Sequence, residues 1–239
     1  MCGRFAMDKD VDDLIQAFVA DGGRAQDWRP TFSMAPTMVA PLVREHRGRD
    51  GELKRELEPA SWGFVPGWGK PGGRAPINAR LETVATNGLF KRAFAGARAI
   101  VPMSGYFEWE QRDDGKQPFY LHGPDGASGL LAAAAVGAAR KDGDDWAISF
   151  AIITREARDA SGEVHDRMPV FLAPETWERW LDPEPVEGKA ADELVQLLEH
   201  TSSAVASTVT HYPVDRKVNS TRTVDPEDPT LIQPLEETE

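Results

Sequence analysis

The sequence predicts an α+β fold: a single compact domain with a bent, barrel-like, mainly antiparallel β core and peripheral helices. Three observations carry this. Short β-branched and aromatic runs, bounded by Gly, Pro and Asp clusters, outnumber the segments of helical periodicity. The helical segments are dispersed and do not alternate with strands as βαβ units require. No repeat and no convincing linker divides the 239 residues, and 41% hydrophobic content suffices for one sizeable core. The domain is expected over residues 1–224, followed by an acidic, partly disordered tail over 225–239.

Taken in order, Asp8 reads as the N-cap of a helix with Val11, Leu14, Ile15, Phe18 and Val19 at helical spacing, stopped by Gly22-Gly23. Met38 to Arg44 and Glu58 to Phe64 read as strands around a polar, Gly-bearing connection, His46 to Lys54, which reads as a hairpin-like turn or a flexible loop. Pro66 to Pro76, rich in Gly and Pro, reads as a long loop. Leu89, Phe90, Ala93 and Phe94 form a short helical stripe. Ala99 to Val101, Tyr106 to Gln111 and Pro118 to His122 read as strands, with Asp113-Asp114-Gly115 as a turn. Leu130 to Val136 and Trp146 to Thr154 are two more, joined across Lys141 to Asp145. Pro174 to Leu181 and Ala190 to His200 read as helices. Val205 to Val209 and the stretch around Tyr212 suggest late strands.

No apolar run is long enough for a membrane span, and the start lacks the basic and apolar regions of a secretory signal. One cysteine excludes an internal disulfide and a multi-cysteine zinc site, so a reducing, cytoplasmic compartment is expected, with no metal and no cofactor. A net charge of −12 argues against a nucleic-acid binder taken alone. Its distribution matters more. Between Pro66 and Arg98 lie six basic residues (Lys70, Arg74, Arg80, Lys91, Arg92, Arg98) and one acid, Glu82, while the last fifteen residues carry six acids and no base. By composition alone the basic segment reads as a solvated face.

Four positions carry chemistry. Removal of the initiator methionine would leave Cys2 with both a free α-amine and a thiol. The amine titrates at roughly 7.7–8.0, so a useful fraction is nucleophilic near neutrality. With an aldehyde it forms an imine, and the thiol then closes a five-membered thiazolidine ring. The competing reading is a buried, inert cysteine. Gly3 would allow close approach of a ligand, and Arg4 can hold a phosphate or a surface carboxylate. Asn78 offers a donor and an acceptor in one amide, suited to orienting an amine or a sugar oxygen, and Arg80 alternates with it on an extended segment. Glu108 sits among Tyr106, Phe107 and Trp109 on a predicted strand; an apolar setting would raise its pKa and make it a general acid-base, whereas an outward-facing Glu is the commoner case. His165, beside Asp166 and Arg167, can shuttle protons, contact phosphate, or simply pair with Asp166. Trp62, Trp68 and Trp109, with Pro36 and Pro66, offer flat faces for stacking bases or else belong to the core.

The order of these motifs resembles one family. Met1-Cys2-Gly3-Arg4-Phe5, Met34-Ala35-Pro36-Thr37, Trp62-Gly63-Phe64-Val65-Pro66 with Trp68, Ile77-Asn78-Ala79-Arg80-Leu81-Glu82-Thr83, Gly105-Tyr106-Phe107-Glu108-Trp109, Thr154, His165-Asp166-Arg167-Met168-Pro169 and Val218-Asn219 with Arg222 together are similar to the SRAP proteins, which process abasic sites in the SOS response. The resemblance spans nearly the whole chain. It implies that Cys2 makes a thiazolidine crosslink to an abasic site in single-stranded DNA, that Asn78 positions its amine and the sugar, that Glu108 assists ring opening, and that His165 supports proton transfer. It implies DNA contacts by Arg4, Trp68, Arg80, Thr154 and Arg167, a monomeric protein, a possible lyase activity and the family's peptidase label. Two departures are the acidic Glu110 after Trp109 and the low net charge.

Rival readings use the same residues. An N-terminal-nucleophile amidotransferase also begins Met-Cys-Gly, but such enzymes build an oxyanion hole from Asn-Gly-Glu, and here Asn87-Gly88 is followed by Leu89. A cysteine peptidase would pair Cys2 with His165. A plain single-strand-binding module would need neither.

Overall fold

The computed structural model describes residues 2–21, 25, 28–48, 50–69, 75–124, 129–157 and 160–236. Its centre is a ring of five strands: β3 (Val39–Arg47), β4 (Leu53–Trp62), β6 (Arg98–Met103), β9 (Leu131–Asp142) and β10 (Asp145–Glu156). Neighbours run antiparallel except β10 and β4, which are parallel and close the ring. An odd-membered ring cannot alternate direction all the way round, so one parallel pair is a geometric necessity. Ala132 to Ala135 of β9 are buried on both faces of the barrel wall.

The second layer is an antiparallel sheet in the order β12 (Thr210–Pro213), β8 (Gly115–His122), β7 (Gly105–Arg112), β1 (Phe5–Met7), β2 (Thr31–Met34). Gly105 at the start of β7 has no room for a side chain: a Cβ there would lie 2.6 Å from the Leu121 carbonyl oxygen. Two short strands attach to the far half of β10. β5 (Asn78–Arg80) continues the lane of β4, pairing in parallel with Ile152 to Thr154, and β11 (Arg167–Pro169) pairs antiparallel with Thr154 to Glu156. The core is continuous, with Phe5, Trp62, Phe150, Tyr106 and Phe171 fully buried.

Several expectations shift. Helix α1 (Val11–Phe18) is capped by Asp10, whose carboxylate accepts the Asp13 N–H at 2.9 Å. Asp8 is engaged elsewhere, donating its backbone N–H to Ser104 and accepting the Ser104 hydroxyl. Val19 is exposed in a left-handed conformation as the C-cap, off the buried stripe; Gly22-Gly23 lies outside the described residues. The hairpin between β3 and β4 is tighter than the polar composition suggests, because Arg44, Glu45 and Arg55 take part in cross-strand ion pairs with Glu58 and with each other. The Pro66–Pro76 loop is described only in part.

α2 (Leu81–Val84) follows β5 directly, and α3 (Lys91–Gly96) forms on the expected stripe. Pro174 to Leu181 divides into a 3-10 turn and α5 (Trp177–Leu181). The strand expected over Val205–Val209 does not exist. α6 (Lys189–Ala206) runs into its first two residues and a turn over Ser207-Thr208 follows, because Ser202 and Thr201 accept the backbone N–H groups of Phe171 and Ala173 and anchor the helix there. The stretch expected to be partly disordered is docked over much of its length. Pro226 accepts from Thr31 and Phe32, Leu231 is fully buried, and Pro234 bridges to Val214. No helix among the described residues is long and apolar enough to cross a membrane.

Candidate active site

β1 and β7 are neighbours, so Phe5 lies against Tyr106 and the chain's first residues run beside the strand that carries Glu108. β5 brings Asn78 to the same place from the barrel side. The Asn78 amide donates to the Cys2 carbonyl at 2.8 Å, and its Oδ1 is buried with no hydrogen-bond partner among the described residues. That oxygen is available to an amine or a hydroxyl.

Cys2 is fully buried, and burial together with the nearby Glu108 carboxylate pushes its thiol pKa far up. Glu108 is 3% exposed, which disposes of an outward-facing carboxylate; burial pushes its pKa up to about 7, with the amino-terminal charge pulling the other way. The same amino-terminal charge lowers the Cys2 thiol and, after burial, the His165 imidazole. One positive charge, that of the unprocessed amino terminus, thus acts on Cys2, Glu108 and His165 together, and Asn78 holds the Cys2 carbonyl.

His165 follows α4 (Ala160–Val164). Its Nδ1 lies 3.0 Å from the Arg167 N–H and 2.8 Å from an Asp166 carboxylate oxygen. One nitrogen cannot accept the first and donate to the second at once. The lowered pKa and the well-placed backbone donor favour the neutral ring with its proton on Nε2.

The raised pKa of Glu108 links to stability. Between the ordinary value of 4.5 and about 7 the folded protein keeps a proton that the unfolded chain has released. Stability therefore falls as pH rises through that window. Glu108→Gln is expected to stabilise the protein above pH 7, by on the order of 3 kcal/mol, and to have no such effect near pH 4.5. Urea melts at pH 5 and pH 8 check this; equal gaps between variant and wild type at both would contradict the burial argument.

The expected DNA contacts separate into different environments. Trp68 is 72% exposed beside a cleft of about 420 Å³ lined by Phe64, Pro66, Leu89 and Arg92. Arg80 is exposed at the end of β5. Arg167 is held by a bidentate pair with Glu82, at 2.6 and 3.1 Å, and donates to the Thr154 carbonyl at 2.7 Å; Thr154 itself is fully buried. Arg4 is nearly buried, donating to Ser33 (2.8 Å) and to the Val218 carbonyl (3.0 Å) with its guanidinium near the Trp109 ring, so it is not a surface salt bridge.

Two expectations are corrected. Trp62 cannot stack on a base: it is fully buried between Phe5 and Phe150, its indole donating to the Ile77 carbonyl. Arg98 is no part of a cationic face, because burial turns it inward onto the carbonyls of Phe94, Trp180 and Glu184. Lys70 and Arg74 lie outside the described residues. Trp109 is half-buried, fixed by a 2.7 Å bond to Asn219. Asn87 Oδ1 accepts the Leu89 N–H in the turn before α3, a local turn role.

Sequence reasoning assigned no role to Glu82, Ser33, Tyr106, Ser161 or Asn219. Glu82 had a signal, as the single acid in the basic segment. Tyr106 and Asn219 stood in family-like motifs without a role of their own, and Ser33 and Ser161 had no signal, since each acts through a partner far away in sequence.

Comparison with known proteins identifies relatives of this chain. The chain is 34% identical to the abasic site processing protein YedK of Escherichia coli over 98% of its own length and all of the relative's. It is 26% identical to the abasic site processing protein HMCES of Xenopus tropicalis over 95% of this chain and 77% of that one. A crystal structure of a protein from Bacteroides thetaiotaomicron matches with a TM-score of 0.77 at 21% identity, over 98% of this chain and 100% of that one. The model of the family described as SOS response associated peptidase (SRAP) matches residues 1–221, and the chain belongs to that family.

Proposed function

We propose that this protein is an abasic-site processing enzyme that binds single-stranded DNA and forms a covalent thiazolidine crosslink through Cys2. The observation that carries the reading is the convergence of Cys2, Asn78, Glu108 and His165 on the chain's amino terminus. The names of the relatives point to the same substrate.

The chemistry follows from these groups. Once Met1 is removed, the α-amine of Cys2 adds to the aldehyde carbon of the ring-opened sugar, and loss of one water leaves an imine. The thiol then adds across the carbon–nitrogen double bond. Its sulfur bonds to carbon and its proton ends on nitrogen. Glu108, with a pKa near neutrality, can give a proton to the departing oxygen and take one back. His165, neutral at rest, accepts a proton during ring opening or reversal. Asn78 Oδ1 orients the amine.

Arg80 and Trp68 meet the strand at the surface, the first on phosphate and the second on a base. Arg167 reaches a phosphate from its seat on Glu82 and Thr154, and Arg4 places positive charge beneath the site. The cations assigned to the strand are few and the chain's net charge is −12, so few phosphates are neutralised. The slope of log affinity against log salt is therefore expected to be shallow, corresponding to about two or three contacts at roughly −0.7 each. Arg80→Ala should weaken binding to any single strand and reduce that slope by about one contact. A steep slope in fluorescence anisotropy titrations would place the binding surface elsewhere.

Intact mass spectrometry of untagged protein mixed with an abasic oligonucleotide tests the reading as a whole. The expected species lacks Met1 and has the summed mass of protein and DNA less one water. Unmodified protein after prolonged incubation would overturn it.

A further inference from the structure

We propose that Tyr106 is a positioning residue: its hydrogen bond to Ser161 ties the segment bearing His165 to the strand bearing Glu108, and so sets how the two proton-transfer groups face each other across Cys2. The inference rests on the crosslinking function proposed above.

Tyr106 and Glu108 are two residues apart on β7 and share one face of it. Tyr106 is fully buried, and its hydroxyl lies 2.7 Å from the hydroxyl of Ser161, which is 2% exposed. Ser161 stands in α4, and its carbonyl accepts the backbone N–H of His165 at 3.0 Å. A chain of two hydrogen bonds therefore leads from the Glu108 strand to the His165 backbone. Ionisation of Cys2 or of Glu108 would raise the Tyr106 hydroxyl further, so the hydroxyl lies within electrostatic reach of both groups.

α4 packs against β7, β11 and β12, and its other described side-chain tie is an exposed contact between Glu163 and His211 at 3.1 Å. The buried hydroxyl pair is the tie that water does not weaken. A buried hydroxyl stripped of its partner costs free energy, so the two hold one another in a single arrangement. Small displacements of a proton-transfer group are costly in rate: about 1 Å can lose on the order of 10²-fold.

Tyr106→Phe keeps the ring and its packing on Phe171 while deleting the tie. Single-turnover crosslinking to an abasic oligonucleotide is measured across DNA concentrations from pH 5 to 9, beside wild type and Ser161→Ala. The expected result is a saturating rate lowered roughly ten-fold in each variant, with half-saturation unchanged and a pH profile displaced from that of wild type. Ser161→Thr, which keeps a hydroxyl, should restore the rate. In a His165→Ala background Tyr106→Phe should have no further effect. Wild-type rates and pH profiles in Tyr106→Phe overturn the proposal, as does a loss confined to half-saturation or an undiminished loss in the His165→Ala background. Should Tyr106→Phe melt below the assay temperature, Ser161→Ala and its Thr rescue decide by the same criteria. Failure of wild type itself to crosslink would refute the functional reading instead, so the two outcomes are distinct.

Discussion

Cys2→Ala is expected to abolish the heat-stable adduct with abasic DNA while leaving an adduct that borohydride can trap. The amine and the thiol act in sequence. Alanine at position 2 is small enough for methionine removal, so the amine survives and the imine still forms. The sulfur that would close the ring is absent. An imine hydrolyses readily, and it acidifies the neighbouring sugar proton, which favours elimination of the 3′ phosphate. Glu108, poised near neutrality beside the terminus, and His165 remain to move that proton. The variant should therefore nick abasic DNA as a lyase, whereas wild type gives a stable adduct and little cleavage. A denaturing gel run with and without borohydride reads both results. A heat-stable Cys2→Ala adduct without reductant would mean that another nucleophile makes the bond.

Blocking the amino terminus should be equally complete in effect. An uncleaved extension before Cys2 turns the reactive amine into an amide, which cannot condense with an aldehyde. The thiol alone gives only a reversible hemithioacetal, and burial beside Glu108 keeps that thiol protonated. The Asn78 amide would still find the Cys2 carbonyl, and Arg80 and Trp68 are remote enough in sequence to keep their places. The tagged protein should bind single-stranded DNA yet give no band that survives denaturation, and proteolytic release of Cys2 should restore it. Efficient crosslinking by the tagged protein would exclude the α-amine as nucleophile.

Much of this architecture is legible along the chain because it is local. Asp113-Asp114-Gly115 turns β7 into β8, and Lys141 to Asp145 turns β9 into β10, where the residue chemistry leaves the backbone few options. Alternation and β-branching mark the strands between them. The misread ends are places where a distant partner decides. Asp8 loses the cap of α1 to Asp10 because Ser104, at the bend between β6 and β7, occupies it. Val205 continues α6 because Thr201 and Ser202 are held by the backbone after β11, overriding a β-branched run.

The candidate site divides in the same way. Sequence by itself determined the candidate elements: a thiol on the second residue, which removal of Met1 would join with an α-amine, and a carboxylate among aromatics at Glu108. It also marked an amide and an arginine in alternation at Asn78 and Arg80, and a histidine between acid and base at His165. Those are properties of covalent structure and near neighbours. Only the tertiary structure decided which of them meet. Closure of the barrel by a parallel pair sets β5 beside β10, and β1 beside β7 carries the terminus to Glu108. Burial then chose among equals: Trp68 stays in solvent while Trp62 enters the core, and Arg80 stays exposed while Arg98 turns inward to satisfy carbonyls. Solvent exclusion is set by every element packed around a group, and no stretch of neighbouring residues contains it.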